Sequence, residues 1–461
     1  MPPSFESSTT TSTGTAASSP VSEVDEMHDA VPYVPVISSL SSVYSVPDVH
    51  CASPGRVNLI GEHIDYSLFD VLPMAITQDV LIAVHVGATD GQLVLNNTDP
   101  NFPARTFNIA NLKETEIDAT VHEWSNYFLA GVKGAFSLLP SAEIPNMHCL
   151  IDGRIPTGSG LSSSSAFVCA SLLAIVTAVK AMAPSSTSFA SAITKSDLVQ
   201  SSVVSERHVG VNSGGMDQSA SVFGVPGHAL QVHDGFAFVI ANTLVVADKH
   251  VTGPIHYNLR VVETAVAAET LAKQCGLDLL PIRDGFGGTP RDFVEAFRTR
   301  GVDATGVMFK VKEPFQFRAR ALHVLEEAER VKKFCEMLTH APADQDGAAA
   351  EEKYLRALAS IMTASHQSCR DLFECSCEEL HELVGLAVEN GAYGSRSTGA
   401  GWGGATVSLV RKDKATEFVQ CLKKEYYLKW YPEISEDKMN DAICITEPAL
   451  GSAVVVGNYN V

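Results

Sequence analysis

Residues 157–166, Thr157-Gly158-Ser159-Gly160-Leu161-Ser162-Ser163-Ser164-Ser165-Ala166, set two glycines and a run of hydroxyls just ahead of an apolar, small-residue stretch. Glycines let a backbone approach a ligand closely. A helix starting here would turn unpaired N–H groups and the positive end of its dipole toward an anion. No Gly-Lys-Ser/Thr follows, so this is not a Walker loop. The G-x-G-x-x-S spacing lacks the third glycine of a dinucleotide fingerprint. Phosphate binding is the functional reading, and a plain Gly/Ser linker is the competing one.

Three further stretches gather reactive side chains. Pro54-Gly55-Arg56-Val57-Asn58-Leu59-Ile60-Gly61-Glu62-His63-Ile64-Asp65-Tyr66 packs Arg56, Glu62, His63 and Asp65 among apolar residues. Converging charged and forked groups suit a sugar, whose hydroxyls are costly to bury unpaired; a solvated turn with a capping Asp is the alternative. A metal at His63 and Asp65 has no further ligand nearby in sequence. Gly210-Val211-Asn212-Ser213-Gly214-Gly215-Met216-Asp217-Gln218 isolates the Asp217 carboxylate in a tight, mostly uncharged setting. That suits a general base, or the cap of the next helix. Glu206, just upstream, offers a hard oxygen to a divalent cation or is a solvated helix carboxylate. Gly394-Ser395-Arg396-Ser397-Thr398-Gly399-Ala400-Gly401-Trp402-Gly403-Gly404-Ala405 places five glycines before a strand. They serve turns, or press backbone against a ligand.

The chain must supply elements that hold these segments together. Its 461 residues, 45% hydrophobic and 19% charged, suffice for two or three domains with a large core. A net charge of −20 argues against nucleic acid as a partner and allows an anionic ligand in a small local positive site. Ten cysteines without paired C-x-x-C clusters argue against zinc and suit free thiols in a reducing, cytoplasmic setting. No apolar run approaches ~18 residues, so no membrane span is expected. Residues 1–30, rich in Ser, Thr, Ala and Pro, read as a disordered low-complexity segment. No Lys or Arg precedes Arg56, which argues against a secretory or mitochondrial leader.

Strands are expected at Val80–Val86, Ala237–Ala241 and Thr406–Val410. A helix should run from the Gly/Ser loop to about Ala183, stopped by Pro184, with further helices over 316–338 and 378–390, the latter capped by Gly391. The fold class is α+β in two lobes, 31–240 and 241–461, following the disordered 1–30.

In this order and at these distances, the four segments resemble the signature motifs of the GHMP small-molecule kinases. The first is similar to the galactokinase signature. The resemblance extends to Trp124–Phe128, Val239–Val246, Tyr257–Glu263, Glu374–Cys377 and Pro448–Ser452, which look like the fungal-type galactokinases, and spans roughly 46 to 452. It implies an N-terminal lobe of mixed sheet and helices (ribosomal S5 domain 2-like), a ferredoxin-like C-terminal lobe, and an active site between them. It also implies roles: Arg56 and Asp217 flanking the C1 hydroxyl of galactose, with Asp217 the base. Glu62, His63 and Asp65 would hold the other hydroxyls, with Tyr257 closing the pocket. Gly158, Ser159, Gly160, Leu161, Ser162, Ser163 and Ser164 would wrap the ATP phosphates. Ser164 and Glu206 would ligate Mg²⁺, and Asp248-Lys249 would lie near the adenine. The Cys375 and Cys377 pair is read as structural.

The chain departs from the family pattern in four places. Ala405 stands where Cys is common and Ser397 where Leu is common, both expected to matter little. Ser67-Leu68-Phe69-Asp70 replaces a glycine-containing turn, and about 283–316 is shorter than in fungal relatives. Three functions compete: a galactokinase making galactose 1-phosphate, a galactose- and ATP-binding sensor engaging a transcriptional repressor, and an N-acetylgalactosamine kinase. Sensor-only relatives lack the dipeptide that this chain keeps as Ser165-Ala166. That dipeptide, with Arg56 and Asp217, favours catalysis; Tyr257 and the fungal-like segments favour galactose.

Overall fold

Strand β2 (Val49–Ile60) is buried along its whole length, because apolar side chains alternate with the small or functional residues Ser53, Arg56 and Asn58. Pro54 and Gly55 fall at a register shift against β3 (Leu72–Val86), where a bulge accommodates a proline that cannot donate to the ladder. The bulge also frees the Arg56 amide to bond the Leu161 carbonyl at 3.1 Å. The structure is a computed structural model. It describes residues 26–27, 49–87, 90–121, 123–182, 193–210, 214–226, 235–245, 256–276, 316–340, 342 and 347–455.

Around β2 and β3 lie β1 (Glu26–Met27), β4 (Gln92–Asn97), β5 (Arg105–Asn108), β6 (Met147–Gly153) and β11 (Ala453–Val455). They form a mixed seven-stranded sheet in the order β1-β11-β2-β3-β6-β4-β5. Helices α1 (Ser125–Leu138), α2 (Ser163–Met182), α3 (Lys195–Glu206) and α4 (Met216–Phe223) belong to this half, with α2 packed on β2 and β3. Thr194 and Asp197 form a capping box that starts α3 and so sets where Glu206 falls at its end.

Helix α2 is long and apolar enough to cross a membrane by length and composition, although no unbroken apolar run marks it in the sequence. Most of it is buried against the sheet and its neighbouring helices, as a core helix is, and residues such as Leu172 and Ile175 are wholly enclosed. Each such side chain contributes roughly 1.5–3 kcal/mol.

The second sheet comprises β7 (Phe236–Asn242), β8 (Gly394–Thr398), β9 (Ala405–Arg411) and β10 (Ile443–Thr446), all antiparallel, in the order β10-β7-β9-β8. Helices α5 (Tyr257–Gln274), α6 (Phe317–Thr339), α7 (Ala348–Ser368) and α8 (Glu378–Glu389) intervene between β7 and β8. Helix α9 (Ala415–Leu422) lies between β9 and β10. This is the β-α-β-β-α-β order of a ferredoxin-like lobe.

Several expectations meet particular outcomes. The division near 240 passes through β7, which pairs only within the second sheet, and β11 returns from the chain end to the first. Within 1–30, residues 26–27 form a strand beside β11 rather than disorder; the rest of that segment lies outside the described residues. Residues 283–315 of the shortened segment also lie outside them. Ser397 and Ala405 are both buried on paired strands. Leu68 takes the left-handed conformation (φ +65°) that a glycine would adopt freely in that turn.

Candidate active site

The 158–162 loop carries positive φ at Gly158, Gly160 and Ser162, with other residues between them. Alternating φ turns successive amides toward one side and makes an anion-binding concavity ahead of the α2 N-terminus. The Ser162 hydroxyl is buried without a hydrogen-bond partner among the described residues, and the space beside Gly158 is open. Both are what a phosphate would use.

The glycine loop after β8 packs onto this one. A β-carbon at Gly399 (φ +86°) would lie 2.7 Å from the Gly160 carbonyl, and one at Gly404 would lie 3.2 Å from that of Ser159. The 399–404 glycines therefore allow close approach between two loops. Gly401 sits against the Cys375 carbonyl, which accepts from the Trp402 amide at 2.8 Å. Cys375 thus holds this loop through its backbone, consistent with a structural role.

Arg56 joins the phosphate loop to Asp217. Its Nε donates to Asp217 Oδ1 at 2.8 Å and its Nη1 to the Gly160 carbonyl at 2.6 Å. Both side chains are largely buried. Burial opposes the Arg56 charge, but the carboxylates of Asp217, Glu62 and Asp65 outweigh it and leave the guanidinium pKa raised. Asp217 lies in the first turn of α4, where the helix dipole also favours a carboxylate.

Beside this pair stand the other residues expected at the sugar. Glu62 accepts from Asn58 Nδ2 at 2.5 Å and from the Gly399 amide at 2.7 Å. Burial raises its pKa, against the opposing charges of Arg396 and Arg56. His63 Nε2 must donate to the Ala400 carbonyl at 3.0 Å, so in the neutral ring Nδ1 accepts from the Tyr66 hydroxyl at 2.9 Å. Rings of Tyr66, Tyr257, Phe373 and Trp402 enclose the imidazole, with centroids 4.9–6.0 Å away. Asp65 is held above the ordinary carboxylate range by burial and by the Asp217 charge. Tyr257, at the start of α5, has its pKa raised by burial and by Asp65 and Asp217, so it stays a protonated donor.

At the metal position the structure pairs Glu206 with Ser165, not with Ser164. The Ser165 hydroxyl lies 2.9 and 3.1 Å from the two carboxylate oxygens, and Gln218 Nε2 lies 2.5 Å from one of them. Glu206 is fully buried at the C-terminal end of α3, where the dipole disfavours a negative charge. Among the described residues there is no group of three or more His, Cys, Asp or Glu side chains that could hold a metal. The donors here are one carboxylate and serine hydroxyls, the hard-oxygen set that suits Mg²⁺ shared with phosphates. Asp248 and Lys249 lie outside the described residues.

Of the rings around His63 the sequence points to Tyr257 alone; it marks neither Asn58, Gln218, Tyr66, Phe373 nor Trp402 as a site residue, and it leaves Ser165 out of the metal set. Gln218 adjoins Asp217 and Trp402 sits in the glycine loop, so adjacency was their only signal. Phe373 had none.

Comparison with known proteins places these features in a family context. Residues 40–86 match the galactokinase galactose-binding signature, 126–225 the GHMP kinases N terminal domain and 348–428 the GHMP kinases C terminal domain. The chain is 37% identical to a galactokinase of Saccharomyces cerevisiae, over 88% of this chain and 91% of that one. It is 35% identical to a galactokinase of Schizosaccharomyces pombe, over 89% and 92%. Among solved structures it resembles Lactococcus lactis galactokinase complexed with galactose, at 25% identity and a TM-score of 0.64, covering 91% of this chain and 98% of that one. The Methanococcus jannaschii mevalonate kinase shares the fold, at 15% identity and a TM-score of 0.56 over 88% and 99%.

Proposed function

The chain belongs to the galactokinase family of the GHMP kinases, and we infer that its cleft transfers the γ-phosphoryl of ATP to the C1 hydroxyl of galactose. The observation that carries the residue assignment is the bridge Asp217–Arg56–Gly160, which sets a carboxylate beside the phosphate loop through one guanidinium. Asp217 takes the proton from the C1 hydroxyl as the oxygen attacks phosphorus, and the bond from the γ-phosphorus to the leaving ADP oxygen breaks. Arg56 keeps Asp217 ionised and offsets negative charge developing near the transferring group. Transfer passes through a loose transition state, so positioning and charge neutralisation supply most of the catalysis.

Glu62, His63 and Asp65 orient the remaining hydroxyls and Tyr257 closes over them. Their buried setting excludes water that would otherwise take the phosphoryl group. The amides of 158–164 hold the phosphates ahead of α2, and Asp248 and Lys249 are assigned to the adenine end. Mg²⁺ would be held by Glu206 with a serine hydroxyl of the first α2 turn, Ser164 or Ser165. When bound it neutralises phosphate charge. Ten free thiols accord with a reducing compartment such as the cytoplasm. The relatives described above are named for the kinase activity, and the sensor and repressor-binding reading draws no support from them.

The test is a coupled ADP-release assay with Mg-ATP, comparing galactose, N-acetylgalactosamine, arabinose and no sugar. Turnover strongest on galactose is expected. Galactose binding without turnover on any of these sugars would overturn the kinase assignment.

A further inference from the structure

Arg396 lies on β8, just before the glycine loop, and is wholly buried. None of its three guanidinium nitrogens has a hydrogen-bond partner among the described residues. A buried charge kept without direct hydrogen bonds is costly, so its electrostatic surroundings must retain it. The nearest opposite charge is Glu62, whose Oε1 is 3.8 Å from Nη2. The second is Glu327 of α6, also buried and interacting with the same guanidinium.

Both carboxylates act on backbone amides of the site. Glu327 Oε1 accepts from the amides of Gly61 at 2.9 Å and Glu62 at 3.3 Å, and from the Ser365 hydroxyl at 2.5 Å. Glu62 accepts from the Gly399 amide. The first set fixes the turn that carries Glu62 and His63. The second ties that turn to the loop packed on Gly160. Glu62 and Glu327 both act on the Arg396 guanidinium from buried positions, and burial favours protonation of a carboxylate unless a cation lies beside it.

We propose that Arg396 is a positioning residue for phosphoryl transfer. Its buried charge keeps Glu62 and Glu327 ionised as acceptors, and so locks the sugar-binding turn 61–65 onto the glycine loop 399–404. The kinetic part of this proposal rests on the galactokinase reading; the structural part does not. Other groups facing the cluster are few. Arg56 of β2 and the adjacent His63 face Glu62. His323 and Arg330 face Glu327, with Arg330 Nε 2.6 Å from its Oε2. Cys369 and Cys375 face Arg396 from the turn after α7. His366 of α7, pushed down to about 3 by burial and the Arg396 charge, is neutral at assay pH. Glu327 therefore keeps Arg330 in direct contact when Arg396 is lost, whereas Glu62 keeps the adjacent His63 and the Arg56 it shares with Asp217.

Two variants, Arg396→Gln and Arg396→Lys, are compared with the parent by two readouts. The first is kcat/KM for galactose against pH. The second is amide hydrogen exchange in peptides spanning 58–66 and 396–404. Arg396→Gln should lose about 10²-fold in kcat/KM at neutral pH, the scale of a displaced site, and regain part of it toward alkaline pH as Glu62 ionises. Both peptides should exchange faster. Arg396→Lys keeps the charge and should keep the parent's pH profile and exchange. A loss that is the same at every pH, unchanged exchange in Arg396→Gln, or a Lys variant no better than the Gln variant would each overturn the proposal and leave Arg396 a packing residue. If Arg396→Gln does not fold, Arg396→Lys alone decides, since an altered pH profile or faster exchange in it contradicts a charge-based role. A parent chain without turnover on galactose would instead count against the functional reading, and exchange would still judge Arg396.

Discussion

Arg56 donates to Asp217 Oδ1 through Nε and to the Gly160 carbonyl through Nη1, so one guanidinium spans from the proposed base to the phosphate loop. Geometry between base and phosphate donors therefore depends on a single rigid fork. A lysine at 56 has one compact ammonium and cannot make both bonds in that plane.

Asp217→Asn keeps the shape and a hydrogen-bond acceptor but removes the base. Turnover should fall by about 10²–10⁴-fold, while galactose binding by calorimetry changes far less. Near-parental turnover in a folded Asp217→Asn protein would remove Asp217 from the base role. Arg56→Lys should lower kcat more than it raises either KM, because the lost fork acts on the reacting geometry.

Gly399→Ala should act on the nucleotide end. Its φ of +86° and a β-carbon 2.7 Å from the Gly160 carbonyl force either the glycine loop or the phosphate loop to move. A destabilisation of roughly 1–3 kcal/mol is expected from the strain alone. KM for ATP should rise more than KM for galactose, measured by varying each substrate in turn. The reverse order would mean that the loop serves mainly the sugar.

Gly214→Ala should act on the sugar end. The new β-carbon would lie 2.5 Å from Asp65 Oδ2, so the carboxylate must turn away. An increase in galactose KM of about tenfold, on the order of 1.4 kcal/mol, with little change in ATP KM is the expected pattern. Unchanged galactose KM would exclude Asp65 from the sugar contacts.

Glu62 and Asp65 give stability and activity opposite responses to pH. Both are held above their ordinary values of 4.5 and 3.8, by burial first and, for Asp65, by the Asp217 charge next. Between the ordinary value and the raised one, the folded chain binds more protons than the unfolded chain. Their contribution to stability is therefore largest at acid pH and is lost as pH rises through the raised value. Sugar binding needs the ionised acceptors, so kcat/KM should rise with pH over the same window. Melting temperature and kcat/KM followed from about pH 4 upward test this, with Asp65→Asn flattening part of both slopes. Parallel slopes in the two measurements would contradict it.

Chelation tests the Glu206 assignment. EDTA should abolish turnover and leave galactose binding measurable by calorimetry, and Glu206→Gln should raise the Mg²⁺ concentration needed for half-maximal rate. A Glu206→Gln protein with parental Mg²⁺ dependence would leave Glu206 as a purely internal acceptor of the Ser165 and Gln218 bonds.

Much of this molecule was legible in one dimension. The loop 157–166, the Arg56–Asp65 cluster and the turn around Asp217 could be read because their chemistry is set by residues adjacent in sequence, and glycine marks its own unusual backbone. Strands such as β7 and helices such as α6 and α8 followed from periodicity, since their apolar faces repeat locally. The span of α2 also followed from the sequence, from the Gly/Ser loop that starts it to the proline beyond its end.

What only the tertiary structure decided were relations between distant segments. The 399–404 glycines could be assigned to turns or to a ligand; packing assigned them to the phosphate loop, some 240 positions earlier in the chain. Ser165 rather than Ser164 reaches Glu206 because helix phase, not hydroxyl content, determines which serine faces α3. The sequence determined which groups are available for chemistry. Folding decided which buried charges meet, as with Arg396, Glu62 and Glu327, because burial and long-range pairing set the electrostatics and neither is encoded in local spacing.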